Sequence, residues 1–446
     1  MIQQKIKPKL PLKDITINVS EMNEKERQEY VGNLGQKALI YFNGLHIQEN
    51  DLKSVKIHSF NFLPTIEMDF TDKTGTLDDK SYPLDNSIVS VFIDSKSEVY
   101  KEIRVDFKVQ TFEVLKKKTG GSTFRMMGTL NCDYLYLQDN IALKDMTSYQ
   151  AMEQIAKDSE LGFASNLDST NDEMTWINPY LTGSQFIQSI AQRSYVKEDS
   201  FMWTYVDFYN NLNYIDVEKA IEGQVKQDST HAQDYQIEKK EKSAKAIVLT
   251  NDEAMKDSNT FFSTAQIINR STEMSIESGY RRRVHMYDIS GNWSEKAGEF
   301  LIFDLDSINT PGSENDLLIL KSNSNSAQFF ENNIQHEYLG KLDKDNVHLD
   351  YLYATSQNSH NINNLQKIAL KLILPKPNYS LSRYQKVKVA FSNQATGITA
   401  GHINSRLTGE WVIIGNGFEM AKRNAGRLEQ VVTLVRRELS PDRGEE

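Results

Sequence analysis

The chain has 446 residues, 39% of them hydrophobic and 25% charged, with a formal net charge of −10. Its length supports about two to four domains with substantial cores, and its acid excess excludes a general nucleic-acid binder, whose phosphate contacts need a basic surface. The single cysteine, Cys132, excludes an intrachain disulfide framework and a thiolate zinc site.

The opening residues, Met1-Ile-Gln-Gln-Lys5, lack the apolar core of a signal peptide. No run approaches the roughly 18 apolar residues of a membrane helix. A cytoplasmic protein, or one that leaves without a signal peptide, is expected. The acidic surface would also let a polyanion slide past without sticking, because like charges repel.

Residues 1–118 read as mostly β. A short helix is expected after Ser20, where Glu21, Glu24 and Glu26 favour a helix N-terminus. Strands are expected at Lys53–Phe60, Ser87–Ile93 and Ile103–Val109, the last alternating apolar and polar residues as a half-buried strand does. Asn43-Gly44, Thr74-Gly75 and Gly120-Gly121 supply turn chemistry between them. Short strands separated by such turns point to a barrel or sandwich.

Two helices follow. The first is capped at Thr147 or Ser148, buries Ala151, Met152, Ile155 and Ala156, and stops at Leu161-Gly162. The second starts at Thr182, where Gln185 completes a capping box, and its apolar face is Phe186, Ile187, Ile190 and Ala191. Thr175-Trp-Ile-Asn-Pro179 is an anchored loop between them. Phe201–Asp216 reads as a hairpin turning at Asn210-Asn211. From 219 to 362 the chain is polar and irregular, with strands such as Ala246–Leu249 and Leu317–Leu320. Residues 363–439 return to β, and 440–446 lack apolar anchors and read as a disordered tail.

Chemistry-bearing motifs are few. Asp72-Lys-Thr-Gly-Thr76 matches the phosphorylation loop of P-type ATPases, where the Asp attacks a phosphoryl group. However, no downstream Gly-Asp-Gly supplies magnesium ligands, since Gly415-Asn-Gly417 lacks the Asp. The preceding Ile66–Phe70 also alternates, unlike a fully buried parallel strand. A hairpin turn is the plainer reading, with a magnesium-dependent phosphohydrolase using Asp72 as the alternative.

The eight histidines form no HExxH or HxH pair. His336, His348 and His360 are evenly spaced but sit among Asn-rich segments, where solvated residues are expected. Cys132, in an apolar run, reads as a buried structural thiol. No catalytic residue, metal site or cofactor is expected. Arg281-Arg-Arg283 is the densest basic cluster and is either a solvated face or a grip on an acidic neighbour or nucleic acid. Trp176, Trp203 and Trp411 are core or interface anchors, and Arg436-Arg437-Glu438 ends a strand.

Three passages together resemble the central baseplate hub of T-even-type contractile phage tails, a group related to late-control hub proteins and the bases of type VI secretion spikes. They are Phe186–Ala191, preceded by Trp176 and followed by Phe201–Asp216; Leu370–Asn378 leading through Tyr384–Phe391; and the closing Gly409–Gly415 with Leu434–Leu439. The resemblance implies an α+β, mainly β fold, with two similar tube-type β-barrels joined by a middle α+β domain holding the two helices. The first barrel would be 1–118. The second would be assembled from 201–240 and 363–439, with 119–200 and an insertion at 241–362 forming the middle domain.

The resemblance further implies a structural, non-enzymatic virion protein of the tail baseplate, assembled in the host cytoplasm. It would be a homotrimeric ring that adapts a sixfold tail tube to a threefold central spike, the latter sometimes lysozyme-bearing. The ring would contact baseplate wedges and leave a channel for DNA, which passes without specific binding. A type VI-like secretion spike base is the related alternative. Arg281, Arg282, Arg283, Trp411, Arg436 and Arg437 are the candidate interface residues.

Overall fold

Asn43 and Gly44 both adopt positive φ, 45° and 83°, so they make the tight turn that the Asn-Gly pair predicts. In the computed structural model the described residues are 38–73, 75, 85–94, 102–116, 121–197, 200–221, 247–252, 260–270, 273, 281–288, 301–306, 334–341, 347–348, 350–392, 404, 407–421 and 427–436. The helix expected after Ser20, the strand at Leu317–Leu320, Arg437 and the tail from 440 lie outside them.

The first β region contains β1 (Ala38–Phe42), β2 (Leu45–His46), β3 (Leu52–Ser59), β4 (Thr65–Asp72), β5 (Ile88–Ile93), β6 (Ile103–Lys116) and β7 (Ser122–Leu130). They pair antiparallel in the order β3-β4-β7-β6-β5-β1-β2. Alternation of buried and half-buried residues along β4 and the first half of β6 puts one face on the core.

The middle segment holds β8 (Ala142–Met146), α1 (Ser148–Asp158), β9 (Gly162–Ser165), β10 (Met174–Ile177) and α2 (Gly183–Arg193). The first cap falls on Thr147 and not Ser148, with Gln150 adding an unpredicted capping box, and the predicted box of Thr182 and Gln185 forms. Each such cap contributes about 1 kcal/mol. The hairpin β11 (Met202–Val206) and β12 (Asn211–Asp216) follows, then the short α3 (Val217–Ile221). The hairpin turns at Asp207–Asn210 and Asn211 already begins β12. The Asp207 carboxylate holds this turn by accepting from the backbone N–H groups of Tyr209 and Asn211 and from the side-chain amides of Asn211 and Asn213.

Next come β13 (Val248–Thr250), β14 (Thr260–Phe261), β15 (Thr264–Asn269), β16 (Arg281–Asp288), β17 (Leu301–Asp306) and β18 (Ile334–Lys341). They lead to α4 (Tyr351–Leu365), β19 (Ile368–Leu374), β20 (Lys386–Ala390), β21 (Gly409–Ala421) and β22 (Leu428–Arg436). The fold is mainly β. Fourteen strands join one sheet, whose path among the described residues is open, with ends at β14, β15 and β2. β16 pairs with β17 and β18 in a separate three-stranded sheet, and β10 with β8 in a two-stranded one.

β12 pairs parallel with β9, so the hairpin is hydrogen-bonded to the middle segment in a sheet of its own. One face, with Met202, Val206, Leu212 and Tyr214, joins the core of α1, α2 and the first β region. Phe201, Tyr205 and Ile215 turn the other way and pack with Tyr384, Val412, Ile414 and Val435 of the closing strands. The hairpin is thus buried between the two β regions.

α4 corrects the expectation of irregular chain before 362. Its Asn- and Ser-rich sequence has weak intrinsic helix preference, yet Ser356, Gln357 and Asn358 are buried. Asn358 Nδ2 donates to the backbone oxygens of Ala191, Gln192 and Ser194 at the C-terminus of α2. Its Oδ1 accepts from Met202 N at 2.8 Å. Tertiary bonding of this kind is invisible to periodicity. His348, expected to be solvated, is buried too, with Nε2 2.8 Å from the Arg193 carbonyl oxygen.

Candidate assembly site at the seam of the two β regions

β21 is the longest strand of the closing hairpin, and it serves both β regions. Along one edge it pairs with β22 from Val412 to Met420. Along the other, Gly409–Val412 pair with β20 of the second region, while Asn416–Ala421 pair with β3 of the first. β20 and β3 therefore meet end to end on one strand, and the seam falls at residues 413–415.

Gly415 and Gly417 allow that meeting. A Cβ on Gly417 would lie 2.6 Å from the Ile57 carbonyl oxygen of β3, and one on Gly415 would lie 2.6 Å from the Phe60 ring. Gly415-Asn-Gly417, which the sequence offers as a defective magnesium motif, is instead a strand segment whose two glycines carry no side chain where β3 and Phe60 approach.

Arg383 closes the seam. Its Nη1 donates to Asn61 O and its Nη2 to Phe60 O, both at 2.8 Å, and the Ser59 hydroxyl lies 3.5 Å from Nη1. The guanidinium carbon is 4.2 Å from the centroid of the Tyr205 ring and 5.6 Å from that of Tyr384. Arg383 therefore ties the turn after β3 to the hairpin and to the second β region at once. Burial pushes the Tyr205 hydroxyl well up and that of Tyr384 up to about 12, so both rings stay neutral beside the cation. Nothing in the local sequence singles out this arginine.

Beyond the seam, Glu419 on β21 faces His58 of β3 at 3.7 Å and Lys371 of β19 at 4.0 Å. Desolvation lowers the His58 pKa, with Glu419 opposing it.

Trp411 and Arg436 are brought together by the closing hairpin, with the Arg436 guanidinium carbon 4.9 Å from the indole centroid. Both are fully buried inside the chain, so neither presents a surface to a partner. Trp411 Nε1 donates to Leu407 O at 2.9 Å. Trp176 is likewise core, donating to Met146 O. Arg281, Arg282 and Arg283 open β16, in register with Asp306, Leu305 and Asp304 of β17, far in sequence from the other candidates.

Asp72 ends β4, which is antiparallel to both β3 and β7, unlike the parallel strand that precedes a phosphorylated Asp. Its side chain is buried, and a Cβ on Gly121 would lie 2.2 Å from its carbonyl oxygen. Among the described residues no three acidic, His or Cys side chains cluster to hold a metal. Cys132 is a buried thiol donating toward Ser159 O, its pKa pushed up to about 11 by desolvation. Among the described residues no helix is long and apolar enough to cross a membrane.

No family model and no curated protein matches the sequence. Solved structures do. A tail protein from Neisseria meningitidis matches at TM-score 0.54 and 10% identity, over 90% of this chain and 96% of that one. The 43 kDa tail protein of prophage MuSo2 from Shewanella oneidensis matches at TM-score 0.53 and 11% identity, over 91% and 100% of the two chains. The chain has the fold of a phage tail protein. A type VI secretion component of E. coli, described as structurally similar to the T4 tail proteins gp27 and gp5, matches at TM-score 0.43 and 10% identity, over 89% of this chain and 75% of that one. In this tail-protein fold the seam on β21 is the place where the two β regions become one piece.

Proposed function

We propose that this chain is the structural hub of a phage tail baseplate, acting as a homotrimeric ring between a sixfold tail tube and a threefold central spike. The observation that carries this reading is the match of the fold along nearly the whole length of two phage tail proteins. The seam on β21 supports it physically, because an adaptor must pass force between its two β regions without letting them hinge.

In this reading the two regions close as similar barrels, the first expected within 1–118 but extended by β7 to Leu130, the second from 363–439 joined by β13–β15, and three protomers present six barrel positions. Residues 131–200 and the part of 241–362 beyond β15 fill the space between, and the acidic surface lets DNA pass through the centre. Arg281, Arg282, Arg283 and Arg437 are the candidates for contacts with neighbouring subunits or wedges. The protein works by geometry and not by catalysis.

Light scattering after size exclusion tests the ring. A mass about three times the 51.1 kDa of the chain fits closed threefold symmetry, whereas a dimer contradicts the reading. Arg282→Glu should then lower the trimer fraction if the basic cluster lies at the subunit contact.

A further inference from the structure

The seam encloses a half-open cavity of about 520 Å³. Its walls come from every part of the chain that meets there: Phe60 and Phe62 from the first β region, Gln188 from α2, Trp203 from the hairpin, and Arg383 and Ile414 from the second β region. Three features distinguish it from a packing defect.

First, its apolar wall is not closed over. Phe60 is 46% exposed at the rim, although it is a large aromatic held against Gly415, where a side chain would displace its ring. Second, Arg383 is the only charged residue in the lining among the described residues, in a chain of net charge −10. It is itself 8% exposed, and its charge is met by carbonyl oxygens, a hydroxyl and aromatic faces, with no carboxylate paired to it among the described residues. Third, two buried donors of the lining, Trp203 Nε1 and Arg383 Nε, have no acceptor among the described residues. Open aromatic surface, a lone positive charge and spare donors are complementary to a group that is apolar at one end and anionic at the other.

We propose that this cavity binds a segment of a partner polypeptide in which an aromatic or large aliphatic side chain is followed by a carboxylate. The apolar side chain enters between Phe60, Trp203 and Ile414, and the carboxylate settles against Arg383. The proposal rests on the reading of the chain as an assembly component and adds to it the chemistry of one partner contact. Because the cavity is walled by both β regions, an occupant there bridges them a second time.

The test uses full-length protein labelled with fluorotryptophan, whose four indoles give four fluorine signals. Trp203→Phe assigns the signal in the cavity. The protein is titrated with N-acetyl-phenylalanyl-aspartyl amide and, separately, with the lysyl counterpart. A saturable shift of the Trp203 signal with the acidic probe, and binding about tenfold or more weaker with the lysyl probe, is the result expected. Gln188→Phe, on an exposed position of α2 at the mouth, fills the cavity without removing a buried group and should abolish the shift. An unmoved Trp203 signal, or equal response to the two probes, overturns the proposal. Neither titration depends on the trimer, so failure here leaves the ring standing, and a dimeric mass would remove the ring without touching the cavity's chemistry.

Discussion

The guanidinium of Arg436 lies 4.9 Å from the indole centroid of Trp411, with both side chains fully buried. The last residue of β22 is thereby clamped over β21 beside its junction with β20, where Val387 pairs with Trp411. A desolvated cation on an indole face is worth about 2 kcal/mol. Trp411→Phe keeps the apolar bulk but loses the Nε1 bond to Leu407 O and weakens the stack. It should lower stability by about 1–3 kcal/mol, seen as a lower urea midpoint. Because Trp411 is core, the mass of the assembled species should not change.

Arg383 offers a sharper separation of charge from geometry. Lysine keeps the positive charge but cannot deliver two parallel bonds to Phe60 O and Asn61 O while lying flat on Tyr205. Arg383→Lys should therefore lose most of what Arg383→Ala loses, about 2–4 kcal/mol from orphaned carbonyls and lost packing. Chemical denaturation of both variants checks this. If lysine restored wild-type stability, the seam would depend on charge alone.

Asn358 satisfies the C-terminal end of α2 from another helix, with three acceptors on one amide. Asn358→Ala should cost about 2–4 kcal/mol. Asn358→Asp should be at least as harmful at neutral pH. Its carboxylate can still accept from Met202 N, but it has no N–H for the three carbonyls and puts negative charge at the negative end of a helix. Hydrogen exchange localised to α2 and β11 would report it.

These positions show what could be read from the sequence and what could not. A cap at Thr147 or Ser148, the box of Thr182 with Gln185, and the alternation of Ile103–Val109 are local patterns, and each forms as expected, the first at Thr147. The pairing of β12 with β9 joins residues about fifty apart, and the pairing of β21 with β3 joins residues more than three hundred apart. No short-range period encodes either. Arg383 and Asn358 look like ordinary polar residues because their partners are backbone oxygens, which leave no trace in side-chain identity. Trp411 and Arg436 were recognisable as important residues, but their mutual contact depends on strand register.

Asp216, at the end of β12, makes stability depend on pH. Burial raises its pKa from 3.8 to about 6, against the pull of backbone donors such as Glu218 N at 3.1 Å. A group whose folded pKa is raised favours the folded state at low pH, and that contribution is lost as pH rises through about 6. At pH 7.5 the buried charge therefore costs about 3 kcal/mol relative to the protonated acid. Asp216→Asn keeps a carbonyl oxygen for the Glu218 N–H and carries no charge. It should unfold at a higher temperature than wild type at pH 7.5, with the difference shrinking as pH falls from about 6 to about 4 and Asp216 takes up its proton. Thermal melts of the two proteins at pH 7.5 and at about pH 4 decide it. An Asn variant that is less stable at pH 7.5 would show that the ionised carboxylate is better served by its donors than its burial implies.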